Sequence, residues 1–166
     1  EEETEDESGG ARLSAPVRKS LIFLLFSVAF WYMAYNAVTT AFSRYASEMW
    51  GMEGGSFAGA LMVASVGALV SFIPVGIVSS RFGRKKVILF GVVLLGLSFF
   101  AGFLFKQPNF AVNIVFFLVG VAWASINVNS YPMVVEMCRG SDIGKFTGTY
   151  YTFSMAAQVF TPILSG

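Results

Sequence analysis

The sequence predicts an all-α membrane protein, a polytopic bundle of hydrophobic helices that cross a lipid bilayer. Of its 166 residues, 55% are hydrophobic and only 13% are charged, whereas soluble domains carry roughly 25% charged residues. The charges are also bunched, with six of the ten acids in Glu1–Glu7 and four of the eleven bases in Arg81–Lys86. Long uncharged stretches separate these bunches, so lipid rather than water is the expected solvent.

Five uncharged segments are long enough to cross the bilayer. A helix needs about 20 mostly apolar residues to span the hydrocarbon core, and it satisfies its own backbone hydrogen bonds there. The five predicted spans are 21–43, 54–80, 87–105, 109–135 and 146–166. A transmembrane β-barrel would show alternating segments of roughly ten residues instead. We therefore predict a transmembrane helical domain over residues 19–166.

The bases of the connecting segments predict the orientation of these spans, because cytoplasmic loops carry an excess of Lys and Arg. Nine bases fall on one face: Arg12, Arg18, Lys19, Arg81, Arg84, Lys85, Lys86, Arg139 and Lys145. Only Arg44 and Lys106 fall on the other face. We therefore expect a multi-pass protein of the cell (plasma) membrane with a cytoplasmic N-terminus.

The two ends of the chain predict that it is a truncated part of a longer polypeptide. It opens without Met, and its last apolar run reaches Gly166 without a polar terminator. Residues 1–18 begin with a run rich in like charge and poor in apolar side chains. Such a composition favours a disordered segment, so we expect an acidic cytoplasmic linker before the first span.

Several kinds of chemistry are excluded within this chain. It contains no His, and its single Cys138 cannot form an internal disulfide or a cysteine metal cluster. Its carboxylates are scattered, so no nucleophile with an acid–base partner is visible at a membrane surface. We predict no enzymatic activity, and no metal, cofactor or nucleic-acid partner.

Polar residues inside the predicted spans form three stripes, which are informative because polar groups in lipid are costly. The stripes are Tyr32, Asn36 and Thr40 in the first span, Trp123, Asn127 and Ser130 in the fourth, and Tyr151, Ser154, Gln158 and Thr161 in the fifth. Aromatic and amide groups on three helices predict a shared, water-accessible cavity. Amides and hydroxyls suit a neutral polyhydroxyl solute. Hydrogen bonding between helices is the alternative for each single residue.

The second span carries small residues at four-residue spacing, which places them on one helical face. These residues are Ser56, Ala60, Ala64 and Ala68. Such a face lets another helix approach closely. We favour packing within the bundle over a dimer interface.

The stretch GIVSSRFGRKK, Gly76–Lys86, resembles the signature of the major facilitator superfamily. That signature is Gly, three residues, Asp, Arg, any residue, Gly and two bases. The matching residues are Gly76, Arg81, Gly83, Arg84 and Lys85, while Ser80 stands where the family has Asp. The resemblance implies a cytoplasmic gate motif in the short turn between the second and third helices of a six-helix half.

A second stretch, YPMVVEMCRGSDIGKFTG, resembles the segment that joins the fourth and fifth helices of such a half. Glu136 stands in it before the Arg139–Gly140 pair. In the family this acid pairs with the basic turn and helps hold the outward-open state. The resemblance therefore implies that Glu136 pairs with Arg81 or Arg84.

The stretches FWYMAYNAVTTAFSRYA and INVNSYPMVVEM are similar to the sucrose-transporter-like and glycoside–pentoside–hexuronide:cation symporter branches. This resemblance implies secondary active transport of a sugar or glycoside coupled to H⁺ or Na⁺, by alternating access between two six-helix halves. The spans would be helices seven to eleven of twelve, with the missing half as partner. The alternatives are a superfamily transporter of drugs, peptides or organic anions, and a non-transporting membrane scaffold.

Overall fold

The computed structural model describes residues 14–53, 55–137 and 142–165. These ranges form five α-helices and no β-strand, which confirms the all-α fold class. The helices are α1 (Ala15–Trp50), α2 (Ala58–Phe82), α3 (Arg84–Leu104), α4 (Phe110–Val135) and α5 (Ile143–Ser165). Helices α1 to α4 are long and apolar enough to cross a membrane. The 23 residues of α5 include a run of hydroxyl-bearing side chains, and its crossing stays a prediction.

Helix α1 is 36 residues long and extends beyond its predicted span at both ends. Pro16 lies in its first turn, where the missing N–H costs no helical hydrogen bond. Gly51 ends the helix at a left-handed φ of 62° and donates its N–H to the Ala46 carbonyl. Consequently Ala15–Arg18, which we assigned to the linker, are helical, and Arg44 lies on α1 rather than in a loop.

Gly83 alone separates α2 from α3. Its φ of 91° and ψ of 138° favour glycine, and its N–H donates to the Ser79 carbonyl at 2.9 Å. The predicted loop of bases is therefore much shorter than expected. Arg84 and the two lysines after it form the first turn of α3, while Arg81 lies in the last turn of α2.

Helix α4 lies at the centre of the bundle and packs along α2 and α3, while α5 packs along α1. Contacts of α4 with α1 and α5 are more local. One apolar core joins residues from all five helices, among them Leu21, Ala64, Leu95, Ile126 and Tyr150. This arrangement places faces of α1, α2, α4 and α5 around a common space.

The small-residue face of α2 packs closely on α4. Its buried members are Ala60, Ala64 and Ala68, whereas Ser56 is exposed. A Cβ atom added to Gly120 of α4 would overlap the Ala64 carbonyl oxygen. One added to Gly67 of α2 would lie 2.6 Å from the Phe117 carbonyl oxygen. The predicted close approach of another helix is therefore confirmed, as packing within the chain.

Large apolar side chains cover the outer surface of every helix. Exposed examples are Phe30, Ile73, Phe100, Phe110 and Ile163, one on each helix. Soluble monomers rarely expose so continuous an apolar surface. A lipid bilayer is the environment in which this surface is stable.

Candidate functional site

A cavity of about 390 Å³ lies between α1, α2, α4 and α5. Its lining residues are Tyr32, Tyr35, Asn36, Ala64, Ser65, Ala68, Leu69, Phe72, Gly120, Trp123 and Gln158. They combine aromatic rings, small residues, three hydroxyls and two amides, and none of these residues carries a charge. Across the described ranges, no group of three or more His, Cys, Asp or Glu side chains could hold a metal ion.

Residues from all three predicted polar stripes meet at this cavity. Tyr32 and Asn36 of α1, Trp123 of α4 and Gln158 of α5 line it directly. Asn127 lies one turn beyond Trp123 and donates its Nδ2 to the Tyr32 hydroxyl at 3.2 Å. A polar wall shared by α1, α4 and α5 is the result.

The two amide side chains at the cavity use their N–H groups in hydrogen bonds, while their oxygens have no partner among the described residues. Asn36 Nδ2 donates to the Tyr32 carbonyl at 2.8 Å, and Gln158 Nε2 donates to the Ser154 carbonyl at 3.3 Å. From the described residues, neither amide oxygen receives a hydrogen bond. Each oxygen can therefore accept a hydrogen bond from a hydroxyl group of a bound molecule.

Aromatic rings form the apolar part of the wall. The rings of Phe72 and Trp123 have centroids 6.1 Å apart and planes inclined at 42°. Trp31 is buried behind Tyr32, with a centroid distance of 4.1 Å and an angle of 30°. The rings of Phe72 and Trp123 present flat apolar surface to the cavity beside its polar atoms, as in many selective ligand sites.

Besides Asn127, three of the predicted pathway residues do not line the cavity. Thr40 is exposed, and Tyr151 is exposed with its ring 5.5 Å from the ring of Tyr150. Ser130 is buried with its hydroxyl 3.0 Å from the Tyr150 hydroxyl. For Ser130, the hydrogen bond between helices that we gave as the alternative is what the structure shows.

Tyr150 was not predicted, yet its hydroxyl joins the polar wall to the core. It lies 3.0 Å from the hydroxyl of Ser130, in a hydrogen bond between α5 and α4. The bond from Asn127 to Tyr32 connects α4 to α1 in the same way. Hydrogen bonds between side chains thus join α4 to both α1 and α5, and such buried bonds lend rigidity when satisfied.

Sequence reasoning also missed the contribution of α2 and of Tyr35. Ser65 and Phe72 line the cavity from α2, which we interpreted only as a packing helix. Tyr35 lies one helical turn from Tyr32. This spacing places both tyrosines on one face of α1, and it could have predicted that Tyr35 also lines the cavity. The sequence offers no comparable signal for Ser65. In the structure its hydroxyl donates to the Leu61 carbonyl of its own helix.

The predicted gate motif contains a bidentate ion pair. Arg84, in the first turn of α3, donates Nη2 to Glu136 Oε1 at 2.6 Å and Nε to the same oxygen at 3.0 Å. A third contact joins Nε to Oε2 at 3.2 Å. Of the two partners that the resemblance implied for Glu136, the structure gives Arg84. The pair connects the start of α3 to the end of α4, and paired charge-assisted bonds of this kind are the stronger ones.

The other residues of the motif make local contacts. Ser80 donates its hydroxyl to the Ile77 carbonyl at 2.7 Å, within α2. Arg81 and Lys85 are exposed and form no ion pair with a described residue. No atom lies within 4 Å of a Cβ added to Gly76. Arg139 lies outside the described residues.

A bundle of apolar helices around an uncharged polar cavity defines a multi-pass membrane protein. The sequence matches the family described as the Major Facilitator Superfamily over residues 21–166, and the chain belongs to this family. It is therefore part of a membrane transport protein. No curated protein and no solved structure matches the chain.

Proposed function

We propose that this chain supplies five helices of a twelve-helix transporter that moves a sugar or glycoside across the plasma membrane. The observation that carries the proposal is the uncharged cavity, in which Asn36 and Gln158 offer free amide oxygens beside aromatic rings. Amide oxygens accept hydrogen bonds from sugar hydroxyls. The rings of Phe72 and Trp123 suit the apolar C–H face of a sugar ring.

The charge and volume of the cavity support a neutral solute over the alternatives. A volume of about 390 Å³ falls within the roughly 300–1,000 Å³ of ordinary ligand pockets. None of its lining residues carries a charge, and an organic anion or a peptide brings charges that a low-dielectric site must compensate. A purely structural scaffold has no need of two amide oxygens that face a cavity without a hydrogen-bond partner among the described residues.

Coupling to H⁺ or Na⁺ and alternating access belong to the same proposal. None of the five helices carries a carboxylate at the cavity, so we place the titrating or coordinating acid in the other half of the transporter. In this proposal residues 1–14, which precede α1, form the cytoplasmic connection between the two halves.

Replacing Asn36 or Asn127 with leucine is expected to reduce sugar uptake about tenfold or more. Asn36→Leu removes an acceptor at the cavity, and Asn127→Leu removes the donor that holds the Tyr32 hydroxyl. A lost hydrogen bond costs about 0.5–1.5 kcal/mol, and leucine adds bulk to the polar wall. Uptake of a panel of radiolabelled sugars and glycosides is measured in cells that express the complete gene.

Asn113→Leu is the matched control, because Asn113 lies on α4 but is exposed and does not line the cavity. Its uptake should equal that of the wild type. The amount of each variant in the membrane fraction shows that insertion is retained. If Asn36→Leu and Asn127→Leu both transport as well as Asn113→Leu, neither the Asn36 acceptor nor the bond from Asn127 to Tyr32 contributes to transport.

The proposed orientation is tested by labelling of introduced cysteines in a Cys138→Ser background. Lys85→Cys, in the first turn of α3, should react with an impermeant maleimide only after the cells are permeabilised. Gln107→Cys, between α3 and α4, should react in intact cells. The reverse pattern would place the basic turn outside the cell and contradict the positive-inside prediction.

A further inference from the structure

A second cavity, of about 230 Å³, lies between α1, α2, α3 and α4. Its walls are mainly apolar and aromatic, with Phe42, Phe99 and Phe116 among them, and none of its lining residues is charged. Tyr35 and Ala64 line both cavities and separate this one from the polar cavity. Apolar cavities stay free of water, and one of about 150 Å³ already takes a molecule of the size of benzene.

Ser98 places one unsatisfied hydroxyl in this apolar wall. It is only 4% exposed, it lines the cavity, and its Oγ has no hydrogen-bond partner among the described residues. Serines of neighbouring helices behave differently, since Ser65 and Ser125 donate to carbonyls of their own helix. A buried hydroxyl without a partner carries a desolvation cost, which a ligand with a hydrogen-bonding group would remove.

Three other polar side chains of the lining donate to backbone carbonyls. Thr39 donates its hydroxyl to the Tyr35 carbonyl at 3.0 Å. The Tyr45 hydroxyl and the Trp50 indole N–H both donate to the Phe105 carbonyl, at 3.1 and 3.0 Å. A water molecule needs two to four polar partners to occupy a cavity, and among the described side chains of the lining only the Tyr35 hydroxyl joins Ser98 in having no hydrogen-bond partner.

The edge of the cavity lies on the surface that faces lipid. Val38 of α1 is 39% exposed and Phe103 of α3 is 71% exposed, and both line the cavity. The bonds of Tyr45 and Trp50 to Phe105 join the ends of α1 and α3 beside it. A molecule dissolved in the bilayer can therefore reach the cavity between α1 and α3.

We propose that this apolar cavity binds a small neutral alcohol or phenol that enters from the lipid phase. Its apolar body packs among the aromatic side chains, and its hydroxyl hydrogen-bonds Ser98 Oγ. The proposal is independent of the transported solute, because it rests on a different cavity and is tested by binding rather than by uptake.

Binding is tested with 4-bromobenzyl alcohol and the full-length protein in phospholipid nanodiscs. Bromine quenches tryptophan fluorescence at short range, and Trp50 lines the cavity. We expect saturable quenching above the linear part that partitioning into lipid produces. The same titration with 4-bromotoluene, which lacks the hydroxyl, should give affinity about fivefold to tenfold weaker, the effect of one neutral hydrogen bond.

Two variants test the location of the site. Gly102 lines the cavity, and a Cβ added there would lie 3.8 Å from Val115 Cγ1, an ordinary contact. Gly102→Leu should therefore fill the space and abolish the saturable quenching. Gly96→Leu, on the same helix with no atom within 4 Å of its added Cβ, is the matched control and should bind as the wild type does.

Ser98→Ala keeps the space and removes the hydroxyl, so it should bind the alcohol and 4-bromotoluene equally. Ser98→Ala also tests the location of the site if Gly102→Leu fails to fold. The loss of one buried hydroxyl without a partner should not destabilise the bundle. Quenching that never saturates, or that Ser98→Ala leaves selective for the alcohol, overturns the proposal.

Discussion

Gly120→Ala is expected to separate α2 from α4 and to destabilise the bundle by about 1–3 kcal/mol, the usual cost of overpacking a core. The added Cβ would overlap the Ala64 carbonyl oxygen and lie 2.7 Å from the Ala68 amide nitrogen. Both are backbone atoms, so neither can rotate away and the helices themselves must move. The loss would occur although alanine favours a helix by about 1 kcal/mol over glycine. Unfolding of the purified protein in detergent, followed by circular dichroism, measures it.

Gly96→Ala supplies the control for helix propensity, because no atom lies within 4 Å of a Cβ added at Gly96. This variant should be as stable as the wild type or slightly more stable. Combining Gly120→Ala with Ala64→Gly should not restore stability, since the contact is with the backbone at Ala64. Equal stability of Gly120→Ala and Gly96→Ala would show that α2 and α4 do not pack through Gly120.

The same contact shows what the sequence could and could not predict about packing. Four-residue spacing on α2 was enough to assign Ala60, Ala64 and Ala68 to one close-packed face, and all three are buried. The spacing could not identify α4 as the helix that packs on this face. Gly120 occurs on α4 among large apolar residues, and spacing within one helix carries no information about which helix faces it.

The polar cavity shows a similar limit. Periodicity placed Tyr32, Asn36 and Thr40 on one face of α1, but it could not say how far along that face the cavity extends. Thr40 lies eight residues from Tyr32, about 12 Å along the helix axis, and it is exposed outside the cavity. The extent of the cavity along α1 depends on where the neighbouring helices approach it, and that is a property of the whole bundle.

Helix boundaries were predicted from hydrophobicity. Hydrophobicity shows which part of a helix lies in the lipid, but it does not show where the helix begins or ends. Arg44 and Lys145 mark where apolar sequence stops or starts, yet both lie inside helices. Arginine and lysine are good helix formers, so α1 and α5 can continue past the predicted spans. The end of α1 is instead set by the left-handed backbone conformation of Gly51.

Glu136→Gln is expected to reduce uptake about twofold to fivefold while leaving the amount of folded protein nearly unchanged. The side chains of Arg84 and Glu136 are 35% and 58% exposed, and such pairs contribute only up to about 1 kcal/mol to stability. We propose that the pair forms in one of the two transport conformations, where a bias of about 1 kcal/mol shifts the ratio of states about fivefold.

Arg44 and Glu48 provide a matched ion pair for comparison, 2.8 Å apart and both on α1. Because this pair connects no two helices, Glu48→Gln should leave uptake at the wild-type level. Exchange of the charges, Arg84→Glu with Glu136→Arg, should restore part of the lost uptake, whereas Arg84→Lys should retain only part because lysine cannot form the bidentate contact. If Glu136→Gln and Glu48→Gln behave alike, the link between α3 and α4 does not bias the transport cycle. Their difference in uptake therefore isolates the effect of joining two helices from the effect of losing a surface charge.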